Sequence, residues 1–509
     1  MIFLLGIDVG TTSTKALLID ENSKLIASST SGYKLTTPKP GWAEQNTDDW
    51  WTASIKTIKD VIKKSNISAE NIACVGLSGQ MHGSVFLDNG GNVIRPVILW
   101  CDQRTLKQCE TIYKIFGYDG FIKLSYNRAL PGFTAPKILW LKENEPENYK
   151  RVSKILLPKD YIRYKLSNTY ATEVSDASGT ILMDIPSRNW SNEILNGLHI
   201  KRSLLPEVFE SDIISSKVSK EASNLTGLIE GTPIVGGGSD NAAGAVGSGI
   251  IRSGLISDSI GTSGVVFAHM DRPLYDSQGR VHSFCHAVSG KWHLTGVTLS
   301  AAGSLRWYFD EFGPSKEIIK NFPDIKGYDL LDKQAKRVPA GSDRLIFLPY
   351  LSGERTPYAD PDARGVFFGI SYLHGPDHFV RSIMEGVAFS QLDCLTLMRD
   401  LNINSDKIIL FGGGAKSSTW RQIIADILNS KVVTLNIEEG PALGAAIIAG
   451  AGCGIYSNIE EGVNKIINED KENNPIAENV KKYKKLYAIY KLLYKDLKDN
   501  FKKLSILEK

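Results

Sequence analysis

The chain has 509 residues, 42% of them hydrophobic and 23% charged, and its 59 basic and 56 acidic side chains leave a net charge of +3. This is the composition of an ordinary globular protein of about two or three domains, with core enough to need no disulfide staples. The balanced charge argues against a dedicated nucleic-acid binder, and no apolar stretch reaches the ~18 residues of a membrane span. The six cysteines form no CxxC pair, and the opening Met1-Ile2-Phe3-Leu4-Leu5 is too short and lacks the basic leader of a signal peptide. A reducing cytoplasm is the expected location, with neither nucleic acid nor membrane as partner.

In chain order, Phe3 to Val9 and Lys15 to Ile19 read as two strands around the polar turn Gly10-Thr11-Thr12-Ser13-Thr14. A helix is expected over Asp48 to Ser65, then a strand over Ile72 to Leu77 running into Ser78-Gly79-Gln80-Met81-His82-Gly83. The short strand Pro233-Ile234-Val235 precedes Gly236-Gly237-Gly238-Ser239-Asp240-Asn241, after which Ala and Gly suit a closely packed helix. The glycines of 247–254 suit a hinge, and just beyond them the hairpin pattern recurs: Leu255 to Ile260, Gly261-Thr262-Ser263-Gly264, Val265 to Ala268. A hairpin repeated at half the chain length is what a duplicated domain leaves. Further strands over Leu345 to Leu348 and Lys407 to Phe411 flank a helix over Asp377 to Leu397, and Phe411 leads into Gly412-Gly413-Gly414-Ala415. Alternating strands and helices predict an α/β protein with partly parallel sheets and ligands at the carboxyl ends of strands. The tail from 479 places Tyr483, Leu486, Tyr487, Tyr490, Leu493, Tyr494, Leu497, Phe501 and Leu504 at helical spacing among ten lysines, an amphipathic helix whose aromatic stripe docks on the second half.

Six places carry candidate chemistry. Main-chain N–H groups of Gly10-Thr11-Thr12 and Gly261-Thr262-Ser263, with their hydroxyls, suit phosphate oxygens. Asp8, two residues before Gly10, either caps its own turn or meets phosphate through Mg²⁺. Asp240 is either a helix cap or the base that phosphoryl transfer to an alcohol requires. Gln80, Met81 and His82 offer an amide, an adaptable wall and an imidazole to sugar hydroxyls, although a histidine there also suits a core. Trp100-Cys101-Asp102-Gln103-Arg104 reads as the lining of a carbohydrate pocket or as an ion pair. The glycines at 412–414 suit close approach of a nucleotide, and Lys416-Ser417 do not complete a Walker A motif.

Two long segments in order, Gly132-Phe133-Thr134-Ala135-Pro136-Lys137-Ile138-Leu139-Trp140-Leu141-Lys142-Glu143-Asn144 and Gly365-Val366-Phe367-Phe368-Gly369-Ile370 through His378-Phe379-Val380-Arg381-Ser382-Ile383-Met384-Glu385, resemble the two signatures of the FGGY family of carbohydrate kinases. Gly79 to Gly83, Leu157-Pro158-Lys159-Asp160-Tyr161, Asp240 to Ala245 and Phe347 to Pro357 resemble the branch of that family that phosphorylates D-xylulose. The resemblance implies two similar actin-like (ribonuclease H-like) α/β domains flanking a catalytic cleft: 1–250, with the sugar site and first phosphate loop, and 251–509, with the nucleotide site and a terminal helix at about 479–507. It implies ATP and Mg²⁺, with Asp240 as general base and Asp8 serving Mg·ATP. Gln80, Met81, His82, Trp100, Asp102 and Asn241 are expected around the ketose, and Gly10, Thr11, Thr12, Gly261, Thr262, Ser263, Gly412, Gly413, Gly414 and Ala415 around the nucleotide. Ser239 stands where the family has glycine, and Cys101 where a polar residue is common, which leaves the pocket's shape open. The competing acceptors are ribulose, another pentulose, a polyol or glycerol, and the rival class is a non-catalytic nucleotide switch. The sequence leaves open whether the protein works alone or as a homodimer.

Overall fold

The computed structural model describes residues 1–313, 327–437 and 439–507, which form two compact units. The first holds Met1–Ile251, His269–His293 and Glu439–Ile467; the second holds Arg252–Ala268, Leu294–Glu438 and Asn468–Lys509. The expected division into 1–250 and 251–509 follows chain order, whereas these units group residues by contact and interleave in sequence.

The core of the first unit is a mixed sheet with strands in the order Ile214–Lys217, Pro233–Val235, Ile72–Gly79, Phe3–Val9, Ser13–Asp20, Leu25–Gly32. Phe3–Val9 runs antiparallel to Ser13–Asp20 across the Gly10 turn and parallel to Ile72–Gly79. Its continuous Phe-Leu-Leu-Gly-Ile run is buried, as a central strand covered on both faces demands. The helix Thr47–Ser65 packs on Ser13–Asp20 and Leu25–Gly32. Gly440–Gly452, although it comes from late in the chain, lies on Phe3–Val9 and Ile72–Gly79. Its Gly/Ala surface allows this approach only because the strands offer glycine in return: a Cβ on Gly6 would stand 1.9 Å from Ala442 O, and one on Gly76 1.9 Å from Ala445 O. The same helix meets Asp240–Gly247, where a Cβ on Gly444 would stand 1.8 Å from Ala243 O. This packing is why Glu439–Ile467 belongs to the first unit.

The second unit repeats the local pattern. Leu255–Ile260 runs antiparallel to Gly264–Met270 across the Gly261 turn and parallel to Lys407–Phe411, with Lys431–Leu435 and Glu469–Asn473 beyond. The helix Pro376–Asp400 is buried along most of its length. Against this unit lies Ala477–Ile506, in which Tyr483, Leu486, Tyr490, Leu493 and Phe501 are buried. Its tyrosine hydroxyls reach inward: Tyr483 to Glu385 at 2.7 Å, Tyr487 to Asp393 at 2.6 Å and Tyr494 to Asp360 at 2.9 Å. Leu504, expected in the stripe, is half exposed. Among the described residues no helix is long and apolar enough to cross a membrane.

Candidate active site

Three neighbouring strands of the first sheet bring their carboxyl ends together. Asp8 pairs in register with Ser78, and Gly238-Ser239 pair with Ser78-Gly79 from the other side. Asp8 and Asp240 therefore sit two strands apart at one sheet edge, roughly 10 Å between backbones at the usual strand spacing. Burial pushes the Asp8 carboxyl up to about 6, against the lowering influence of the Ser78 hydroxyl and Lys15. Burial also pushes Asp240 up to about 7, and the negative charge of Asp8 adds to it. The two carboxylates thus share one field.

Ser239, not Asp240, is the helix cap: its hydroxyl accepts from Ala242 N at 3.3 Å. Asp240 is the first helical residue, and among the described residues only the adjacent Asn241 N donates to its Oδ1, at 2.7 Å. Serine in place of glycine at 239 costs no backbone strain, because its φ is −56°. Asp8 likewise does not cap its turn, and its Oδ1 is buried without a hydrogen-bond partner. Such an orphaned oxygen fits a cation ligand. Among the described residues no group of three or more metal-binding side chains exists.

The Gly10 turn closes with Gly10 N on Ser13 O at 3.0 Å. Tyr33 donates to Gly10 O at 2.6 Å, Gln45 to Thr11 O at 2.6 Å, and Trp100 Nε1 to the Thr11 hydroxyl at 3.0 Å. Gln80, expected beside the ketose, is buried and turned to the first hairpin: its amide donates to Gly10 O at 3.3 Å and Gln45 Oε1 at 3.1 Å and accepts from Thr11 at 3.4 Å, so it braces that turn. Asp102, also expected beside the ketose, stands in an ion pair. It is fully buried, accepts from Ala43 N at 2.7 Å, and pairs with Arg104, which in turn lies 3.5 Å from the centre of the Trp42 ring. Its carboxylate anchors that stack. Trp100 stays 43% exposed at the rim.

Met81, His82 and Asn241 do converge. Asn241 Nδ2 lies 3.4 Å from Met81 Sδ, and a Cβ on Gly179 would stand 2.6 Å from Met81 Cε and 2.8 Å from His82 Cε1. His82 has φ of +70°, a left-handed backbone that a non-glycine residue adopts only when held. Thr134 (3.1 Å) and the buried Lys137 (2.9 Å) both donate to its carbonyl. Its Nδ1 is 2.7 Å from Gly179 O. Since a carbonyl only accepts, Nδ1 carries the proton and Nε2 is the acceptor in neutral imidazole. The Phe133 ring packs 4.6 Å away. Burial pushes the Lys137 ammonium down to about 7, with Asp102 opposing.

In the second unit Gly261 N closes on Ser263 O at 3.1 Å. The start of the helix Ala302–Phe312 supports this turn through its main chain: Ala302 N donates to Gly261 O at 2.8 Å and Ala301 N to Thr262 O at 2.9 Å. Gly412 adopts φ of +88° and backs onto the same turn, since a Cβ there would stand 2.8 Å from Ile260 O. Ala415 is buried and donates to Gly412 O at 3.1 Å. Gly413 and Gly414 wall a cavity of about 780 Å³ that Ala302, Tyr328, Lys416 and Trp420 also line. That volume lies in the range of small-molecule sites, roughly 300–1,000 Å³. Tyr328, Asp329, Asp332 and Lys333 reach it from the helix Gly327–Arg337, which no glycine motif announces in the sequence. Gln45, Tyr33 and Lys137 were equally silent: each is a lone polar residue until the fold supplies its partner.

Two α/β units, each with a glycine-hydroxyl hairpin turn, one flanked by two carboxylates and one by a nucleotide-sized cavity, define a sugar kinase of the actin-like ATPase fold. The chain belongs to the FGGY family of carbohydrate kinases: residues 3–247 match the family's N-terminal domain and residues 257–453 its C-terminal domain. It is 40% identical to the xylulose kinase of Bacillus subtilis (strain 168) over 98% of both chains. The ligand-bound xylulose kinase from Lactobacillus acidophilus superposes with a TM-score of 0.92 at 28% identity, covering 99% of this chain and 100% of that one. Gluconate kinase from Lactobacillus acidophilus superposes with the same TM-score at 27% identity over 99% of both.

Proposed function

We propose that the protein transfers the γ-phosphoryl group of ATP to the terminal hydroxyl of D-xylulose, giving D-xylulose 5-phosphate and ADP, with Asp240 as general base. The observation that carries the assignment is Asp240 itself: a strand-end carboxylate freed from capping by Ser239 and raised to about 7, where a base works best at neutral pH. Phosphoryl transfer leaves little covalent chemistry to the protein, so position and charge dominate. Asp240 accepts the hydroxyl proton. His82 offers Nε2 to a ketose hydroxyl, with Met81 and Asn241 as the wall beside it and Trp100 at the rim. The Gly10 and Gly261 turns and the Gly412–Ala415 segment hold the nucleotide. Asp8 is the residue that would hold Mg²⁺, which supplies neutralisation of phosphate charge when bound.

The ketose is supported by the likeness to xylulose kinases together with the Met81-His82 arrangement. ADP release measured with D-xylulose, D-ribulose, glycerol and gluconate tests it, and D-xylulose should give the highest kcat/KM by about 10-fold or more. A preference for gluconate or glycerol would overturn the acceptor, and ATP turnover indifferent to every sugar would overturn the kinase.

A further inference from the structure

Behind Asp240 lies a cluster of charge without access to water. Lys159, Asp160, Arg163, Glu173 and Asp176 are all completely buried. Lys159 Nζ stands 2.7 Å from Asp160, 3.1 Å from Asp176 and 3.4 Å from Glu173. Well-packed apolar side chains often stabilise a fold as well as buried ions do, so such a cluster is weak grounds for stability alone. Its outward contacts converge on one stretch of main chain. Arg163 donates to Val235 O and Gly236 O, both at 2.6 Å. Glu173 accepts from the Ser211 hydroxyl at 3.0 Å, and Ser211 O accepts from Gly237 N at 2.8 Å. Glu173 also accepts from the Ser175 hydroxyl at 2.9 Å, and Ser175 Oγ accepts from Ser239 N at 2.9 Å. Gly236, Gly237 and Ser239 are thus each tied to the cluster, immediately before Asp240. The tie has a reason: Gly237 sits at φ of +73°, and a run of three glycines has no side chains with which to hold its own path.

We propose that Glu173, acting through Ser175 and Ser211, and Arg163 are positioning residues that locate Asp240 for proton transfer, with Lys159 balancing the charge of Glu173. This rests on the reading of Asp240 as the general base. Ser175→Ala removes one tie with little change in volume. The expected result is a fall in kcat on the order of 10-fold with KM for D-xylulose and ATP both within about 2-fold, since a displaced base lowers the rate without touching either ligand. In the Asp240→Asn background the same substitution should cost less than about 2-fold, because a residue acting through Asp240 has nothing left to act on. An equal loss in both backgrounds, or unchanged kcat in the parent, would overturn the proposal. Ser211→Ala, on the other arm, runs through the same cycle should Ser175→Ala fail to fold. Near-normal turnover of Asp240→Asn alone removes the base, and that outcome is read before Ser175 is touched.

Discussion

The two hairpin turns are alike in sequence and opposite in support. Gly10-Thr11-Thr12 is clamped by side chains from Tyr33, Gln45, Gln80 and Trp100. Gly261-Thr262-Ser263 is held by main-chain N–H groups at a helix start. The acids before them diverge too. Asp8 lies two residues ahead of its glycine and ends at the site, whereas Asp258 lies three ahead of Gly261. With side chains alternating along a strand, that single step turns Asp258 to the other face. There it is fully buried with neither oxygen hydrogen-bonded, and burial raises it to about 8. The same turn stands in both units, and under the proposed function only the first has a catalytic acid beside it.

The sharpest break in this comparison is Asp240→Asn, expected to lower kcat by about 10² to 10⁴ if the first copy carries the base. Steady-state rates with saturating sugar and ATP measure it. Asp8→Asn should cost about 10² in kcat, whereas Asp258→Asn should leave kcat within about 2-fold, since only the first acid belongs to the proposed site. The same Asp8 variant tests the shared field. A base must be unprotonated, so kcat/KM for the ketose should fall as pH drops below about 7, and removing the like charge of Asp8 should move that limb to lower pH. A limb that stays in place would separate the two carboxylates.

Next in size is His82→Ala, expected to raise the ketose KM by about 10- to 100-fold while KM for ATP moves less than about 2-fold. Gln45→Ala should raise KM for ATP by about 5- to 10-fold through loss of its bonds to the first turn. The second turn offers no such lever, because main chain holds it. Smallest is a stability effect at Asp258. Its folded pKa lies above the ordinary 3.8, so the ionised form is penalised: stability is undiminished below about pH 4 and is lost as pH rises towards 8. Asn cannot ionise, so thermal melts at pH 8 should place Asp258→Asn a few degrees above the parent, with the difference vanishing near pH 4.

Much of the candidate site was legible because its signals are local. Asp8, the two hairpin turns, Asp240 after its glycines and the Met81-His82 pair each announce themselves within a few residues, through turn chemistry and strand alternation. The tail helix did so through the 3.6-residue recurrence of its aromatics. The surroundings of Gln80 were not legible for the complementary reason. Its amide turns towards Gly10 and Gln45, and a sequence does not say which way an amide points.

What the chain determined by itself is therefore the inventory: α/β units, two similar glycine-hydroxyl hairpin turns, and a carboxylate positioned at a helix start. Tertiary structure alone decided how those parts are held. Burial made Asp102 an ion-pair anchor, the mutual closeness of Gly6 and Ala442 drew a late helix onto the first sheet, and contacts between residues far apart in the chain built the frame behind Asp240. Local spacing encodes conformational preference, whereas a buried charge or a bare glycine acquires its partner only when distant segments are packed against it.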